Sequence, residues 1–216
     1  MTCLAFSQTP NRTVNFTSNI AGATKFTSIT TALSGAPANT TIWVAAGAYT
    51  EAELIIPAGV TVIGGFPPNA TTYEQRIYPG VATGSQLSIL DGQYKHRLAT
   101  VSGTLDGFKI TKGYAFSNGT SGGGVLITGG TVQNCILINN VASNLTPTDS
   151  TNIPGDYVAS IGDIYCTDGT ILSPTYRLDQ TDGKIKATLP GGIPNGKIPQ
   201  GIICNIERAA TSRRIY

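Results

Sequence analysis

Acid–base chemistry needs titratable side chains gathered at one place, and the densest such set in this chain is Asp91, Lys95, His96, Arg97, Asp106, Lys109 and Lys112. Hydrolysis of a glycosidic bond needs two carboxyls flanking it. Asp91 and Asp106 can supply them, with Arg97 and Lys109 beside them, so a polysaccharide-cleaving site on these four residues is the enzymatic reading. His96 is the sole histidine, so it has no second histidine with which to share a metal. No Gly-x-Ser-x-Gly elbow offers it a serine to activate either. A loop histidine with no catalytic role is the simpler account.

The remaining candidates each have a plain alternative. Glu51 and Glu53 alternate along one strand and share a face, suiting a cation, a general acid or a solvated surface. Asp163, Asp168 and Asp182 lie beside glycine or within turn sequences, where aspartate accepts bonds from nearby backbone amides, and they lack the spacing of a calcium loop. Gly122-Gly123-Gly124 is followed by no Lys-Ser/Thr helix start, so it reads as a tight corner rather than a phosphate cradle. The four cysteines, Cys3, Cys135, Cys166 and Cys204, have no Cys-x-x-Cys spacing. They read as buried thiols in strands, with a single Cys166–Cys204 bridge as the alternative. Neither a metal nor a cofactor is expected. Tyr73, Arg76, Tyr78 and Tyr94 are the candidate ligand-binding set, because tyrosine and arginine on loops offer large contact area with a polar tip for a glycan or a protein. Packing of the loop onto its neighbours is the competing reading.

The elements that must carry these residues are short. Charged residues make up 12% of the chain, about half the usual share, while glycine, threonine, asparagine and serine are abundant, a composition that suits elongated β proteins outside the cell. The net charge of +2 comes from scattered residues, with no basic run beyond Arg213-Arg214, so neither nucleic acid nor an anionic membrane is an expected partner. No apolar run approaches the ~18–20 residues of a membrane span, and Met1–Phe6 is too short for a signal h-region. Export therefore needs an upstream leader or another route, such as assembly into a virus particle.

Residues 1–25 are polar and without clear period, reading as an arm or edge strand. Between Lys25 and Leu33, Phe26, Ile29 and Leu33 fall at helical spacing, and Gly35-Ala36-Pro37 stops the run. From Thr41 onward, short β-rich runs alternate with Gly, Pro and Asn, with no candidate helix of useful length between them. Leu105–Gly113 returns in register as Val132–Asn140, and Val60–Gly65 with Ser88–Gly92 suggests a similar step, interrupted by an excursion from Pro67 to Thr83. Such self-similarity points to a solenoid of about four or five coils, each burying its face on its neighbours. Beyond Val141 the composition becomes that of a linker. The expected organisation is an arm over 1–25, a β-helix over 26–142, a linker over 143–155 and a small β module over 156–216.

Trp43-Val44-Ala45-Ala46-Gly47-Ala48-Tyr49-Thr50-Glu51 and Ile56-Pro57-Ala58-Gly59-Val60-Thr61-Val62-Ile63-Gly64-Gly65-Phe66 resemble the opening of many pectin-lyase-like right-handed parallel β-helix proteins. Leu105–Gly113, Gly122–Val125 and Val132–Ile136 resemble coils of the polymorphic outer-membrane, adhesin-like members. Val158–Thr170 and Gly196–Ile203 resemble a small module at the ends of surface and phage proteins of gut Bacteroidetes. The resemblance implies an all-β chain: a short right-handed parallel β-helix with an N-terminal capping helix and a small C-terminal β module. The superfamily mixes lyases and hydrolases with phage tailspikes and adhesins, so fold alone does not decide activity. Polygalacturonase-like Asn-Thr-Asp, Asp-Asp and Gly-His-Gly signatures are absent, as is a pectate-lyase arginine motif. The expectation is a non-enzymatic structural or adhesive protein at a cell surface or on a phage virion, self-associating or binding neighbouring structural proteins or a glycan. A polysaccharide lyase or glycoside hydrolase is the alternative.

Overall fold

A computed structural model describes residues 9–79, 82, 84–116 and 122–143, and beyond them the strand backbones of 164–172, 179–181, 184–186 and 205–206. In chain order the elements are β1 (Arg12–Val14), β2 (Thr24–Phe26), helix α1 (Ile29–Leu33), β3 (Thr41–Ala45), β4 (Gly47–Tyr49), β5 (Leu54–Ile56), β6 (Thr61–Phe66) and β7 (Ser88–Asp91). They continue as β8 (Ala99–Val101), β9 (Thr104–Asp106), β10 (Phe108–Thr111), β11 (Tyr114–Phe116), β12 (Val125–Gln133), β13 (Ile136–Ile138) and β14 (Val141–Ser143). Last come β15 (Ile164–Leu172), β16 (Asp179–Thr181), β17 (Lys184–Lys186) and β18 (Asn205–Ile206).

Strands recur one lap apart and stack in parallel, giving a parallel β-helix-like fold. The longest stack runs β2-β1-β3-β6-β9-β12-β15-β18. A second stack pairs β5 with β8 and β8 with the start of β12, and a third runs β4-β7-β10-β13. A short fourth joins β11 to β14, and among the described strands only the β16–β17 pair is antiparallel. Alternation along each strand sends one set of side chains inward. Ile42, Val62, Leu105 and Val132 are stacked partners in the longest stack. With Leu54, Ile56, Val101, Phe108, Ile110, Ile127 and Leu137 they form one continuous buried core.

The repeat read from the sequence is the structural one: Leu105 pairs with Val132 and Lys109 with Ile136. Its corners take left-handed backbone at Gly107 (φ 81°), Asn134 (φ 51°) and Asn139 (φ 59°). The asparagine of the next corner also ties coils together, because the Asn140 side chain accepts from Gly113 N at 2.8 Å and donates to Ile110 O at 3.0 Å. Val60–Gly65 and Ser88–Gly92 are not equivalent positions. Val62 stacks between Ile42 and Leu105, while Ser88–Asp91 stacks between Gly47–Tyr49 and Phe108–Thr111 in the third stack. Alternation has the same period on every sheet, so it does not say which sheet a run joins.

The helix is shorter than its apolar spacing implies. Thr24–Phe26 is strand, paired in parallel with Arg12–Val14, and Ser28 starts the helix after it by accepting from Thr31 N at 3.1 Å. Ile29, Ala32 and Leu33 enter the main core, and Gly35 (φ 59°) follows the last turn where Gly35-Ala36-Pro37 set the stop. At the other end, Ile164–Leu172 pairs with Val125–Gln133 along its length and carries the parallel stacking onward. Of the expected linker at 143–155, Ser143 ends β14 and pairs with Phe116, while the rest lies outside the described residues, as does most of 156–216 apart from the strand backbones.

Candidate functional site

The outward side of the longest stack begins as alternation dictates, with Trp43, Ile63, Asp106 and Gln133 in one column. A bulge at Gly64-Gly65 lets Ala45 pair with Phe66, so Phe66 also joins the outward layer. Two of these outward residues are large aromatics, and they are covered. Phe16 from the N-terminal segment and Tyr73 from the excursion pack on them, with Trp43 and Phe66 stacked at 4.3 Å between ring centroids. This is a second core outside the β-helix. The Trp43 indole N–H is buried in it without a hydrogen-bond partner among the described residues.

Arg76 fastens the excursion to that face. Its side chain is 1% exposed and meets the Asp106 carboxylate, itself 5% exposed, with both terminal nitrogens. Nε donates to Gly64 O at 2.9 Å and Nη1 to the Tyr73 hydroxyl at 2.9 Å. Asp106 also accepts from Gln133 Nε2 at 2.8 Å and Asn134 Nδ2 at 2.9 Å. Every strong partner of the buried pair is thus present, the condition under which burying two charges is tolerable. Burial alone would pull the guanidinium down, but its bonds to Asp106 outweigh that and raise it. Burial raises Tyr73, against the opposing charge of Arg76.

Glycine makes the approach possible. A β-carbon on Gly107 would lie 2.1 Å from Arg76 Nη2, and one on Gly65 would lie 2.3 Å from Ile77 O. Gly65 O accepts from Ile77 N at 2.8 Å, a backbone tie beside the ionic one.

The four tyrosine and arginine candidates do not form one site. Arg76 is buried and saturated, and Tyr73 is half-buried in the aromatic cluster. Tyr78 is 43% exposed, with its ring 4.5 Å from the Arg76 guanidinium carbon. Tyr94 lies at the far end of β7, in a corner where its N–H donates to Lys112 O at 2.6 Å. No described interaction joins Tyr94 to the other three.

The enzymatic candidates are dispersed among separate partners. Lys112 pairs with Asp91 at 3.0 Å and Arg97 with Glu53 at 3.5 Å, while Asp106 is closed by Arg76. No described hydrogen bond joins any two of Asp91, Arg97, Asp106 and Lys109. His96 Nδ1 donates to Arg97 O at 2.7 Å. Among the described residues, no group of three His, Cys, Asp or Glu side chains could hold a metal, and no helix is long and apolar enough to cross a membrane.

Two glutamates have structural work that sequence spacing did not reveal. Glu51 accepts from Ile29 N at 2.7 Å, Thr30 N at 2.6 Å and Thr30 Oγ1 at 2.7 Å, binding the start of α1. Glu53 accepts from Thr100 Oγ1 at 2.6 Å across one lap. Cys135 is a buried free thiol pushed up to about 12, chiefly by burial. Cys3, Cys204, the Cys166 side chain, Asp163 and Asp182 lie outside the described residues, as does the side chain of Asp168.

No curated protein and no solved structure is significantly similar to the chain. A family of proteins of unknown function, DUF1565, matches residues 16–171, which takes in the β-helix from the arm to β15, and the chain belongs to that family.

Proposed function

We propose that this protein is a non-enzymatic structural or adhesive component at a bacterial cell surface or on a phage virion. In this reading the stack is a short right-handed parallel β-helix of the pectin-lyase-like type, with α1 capping its N-terminal end and a small β module following it. The right-handed path is the general expectation for parallel strands joined by crossovers. The observation that carries the reading is the fate of the candidate acids and bases: Asp106 is closed by Arg76, Arg97 pairs with Glu53, and Asp91 pairs with Lys112. Acid–base cleavage of a glycan needs at least two such groups free and facing one bond. A short solenoid also leaves a last coil that another surface must cover, so self-association or packing against a neighbouring structural protein accompanies the reading.

Two measurements test it together. Light scattering of the purified protein is expected to give an oligomer, and incubation with neutral and acidic polysaccharides to release neither reducing ends nor unsaturated uronates. Turnover abolished by Asp91→Asn or Arg97→Ala would overturn the reading in favour of a polysaccharide lyase or hydrolase.

A further inference from the structure

We infer that residues 71–77 are a strap that opens as one unit, hinged at Ala70, while the β-helix beneath it stays folded. The excursion is anchored unevenly. Its first part is tied to the N-terminal segment, because Pro68 O accepts from Thr17 N at 2.7 Å and from Thr17 Oγ1 at 3.1 Å, and the Ser18 hydroxyl donates to Ala70 O. From Thr71 the described bonds run forward instead. Thr71 N and Thr72 N donate to Gln75 Oε1 at 2.7 and 3.0 Å, closing the turn at Tyr73–Gln75 on itself. Thr71, Thr72, Glu74 and Gln75 are exposed. Among the described residues, one backbone bond joins this stretch to the coils, Ile77 N to Gly65 O at 2.8 Å. Its other ties are Arg76 on Asp106 and Gly64 O, and the Tyr73 ring on Trp43 and Phe66.

Two features of the closed state are relieved by its release. The Arg76–Asp106 pair has both partners withdrawn from water, so much of their attraction goes to offset lost hydration, and opening returns that hydration to both. Arg76 also keeps the Tyr73 hydroxyl, which travels with it. The Trp43 indole N–H is buried and meets no acceptor among the described residues, an unmet bond that water supplies once the cluster opens. Of the rings around that indole, Phe16, Phe66 and Tyr73, only Tyr73 moves with the strap. A stretch with few buried apolar contacts and a single backbone bond to the coils belongs to the low-stability end of a fold. Its release uncovers an outward row, Trp43, Ile63 and Phe66, with the Asp106 carboxylate one lap on from Ile63. The closed strap is therefore an intramolecular cover over that row.

Native-state hydrogen exchange of the full chain, followed by NMR at rising urea below the unfolding transition, tests the strap. The Ile77 amide and the Trp43 indole N–H are expected to share one opening that changes little with urea. Their protection should lie at least about a hundredfold below that of the Thr104 and Thr131 amides, which bond Val60 O and Gly103 O between coils. The Thr17 amide, on the anchored part, should stay outside that opening. Ile110→Val, a mild truncation in the main core, should lower Thr104 and Thr131 protection about fivefold and leave Ile77 and the indole within about twofold of their original values. Protection of Ile77 and the indole equal to that of the coil amides, a loss shared by all four groups in Ile110→Val, or exchange of Thr17 together with Ile77 would each overturn the strap.

Discussion

Replacing Asp106 with asparagine should unlatch the excursion at a cost that can be worked from its partners. The substitution removes the counter-charge of a guanidinium that is 1% exposed, and leaves Arg76 with Gly64 O, the Tyr73 hydroxyl and the single amide oxygen at position 106 as acceptors. The new amide N–H group also faces the donors of Arg76, Gln133 and Asn134, which the carboxylate accepts. Breaking a buried ion pair costs about 3–5 kcal/mol, and the three surviving acceptors place Asp106→Asn near the low end, about 3 kcal/mol. For a chain of this length that corresponds to a melting point lower by roughly 6–12 °C. Removing both charges as Arg76→Met with Asp106→Leu should cost less than either single change, because no unpaired charge stays behind. Urea unfolding followed by circular dichroism and by fluorescence reads both effects. Trp43 is the sole tryptophan and is stacked on Phe66 beneath the excursion. Its transition should therefore move at least as far as the backbone signal. A loss below about 1 kcal/mol for Asp106→Asn, or a double variant that loses the sum of both singles, would refute the latch.

Gly107→Ala places a β-carbon 2.1 Å from Arg76 Nη2 at a backbone φ of 81°, and should cost about 2–5 kcal/mol from left-handed strain plus overpacking. The same substitution in an Arg76→Ala background should cost clearly less, as urea midpoints would show. Glu51→Ala strips three acceptor contacts from the start of α1 and should lose about 1–2 kcal/mol, with Glu51→Gln retaining part of it in the same assay. Burial holds the Cys135 thiol neutral up to about pH 12, against an ordinary value of 9.0. Above pH 9 the unfolded chain releases that proton and the folded chain keeps it, so stability falls as pH rises from 9 towards 12. The slope approaches about 1.4 kcal/mol per pH unit for this group. Cys135→Ala should flatten the decline between pH 9 and 10, below the range where Tyr49, also raised to about 12 by burial, begins to contribute. Urea midpoints at pH 7, 9 and 10 measure it.

The repeat from Leu105 to Thr111 and from Val132 to Ile138 was legible because each inward position, Leu105, Phe108 and Ile110, has an apolar counterpart one lap on and each corner carries Gly or Asn. Those are local and periodic signals. For Arg76 the sequence leaves two readings open, an exposed ligand contact and packing of its loop, because arginine is mostly exposed yet can bury its stem. Its partner is thirty residues away on the outward side of a strand, and no spacing rule links them. The available signal was glycine: Gly64-Gly65 and Gly107 mark places where something must approach the backbone closely, though not what approaches. Glu51 is similar, since helix-start acceptors are recognised only when adjacent in sequence, and this one lies twenty-two residues after Ile29, the first residue of the helix it serves. The two runs assigned to equivalent coils, Val60–Gly65 and Ser88–Gly92, share a pattern but not a sheet. The excursion from Pro67 breaks the lap at the corner that Gly107 crosses alone, and periodicity cannot be counted across an insertion of that length.

The outward column explains why the excursion exists at this corner. A β-helix strand that faces water on its outer side should carry polar residues there, as Thr61, Thr104 and Thr131 do at the start of each lap. Trp43 and Ile63 break that rule two residues later, and the bulge at Gly64-Gly65 turns Phe66 outward beside Trp43 rather than into the core. An apolar outer face is stable only under a second layer, and the chain supplies one from both directions, with Phe16 before the coils and Tyr73 from the insertion. Asp106 continues the column one lap below, where the aromatic cover gives way to the guanidinium of Arg76. The charge pair therefore sits at the boundary between a dry second core and the hydrated remainder of the face, and Tyr78 emerges at that boundary.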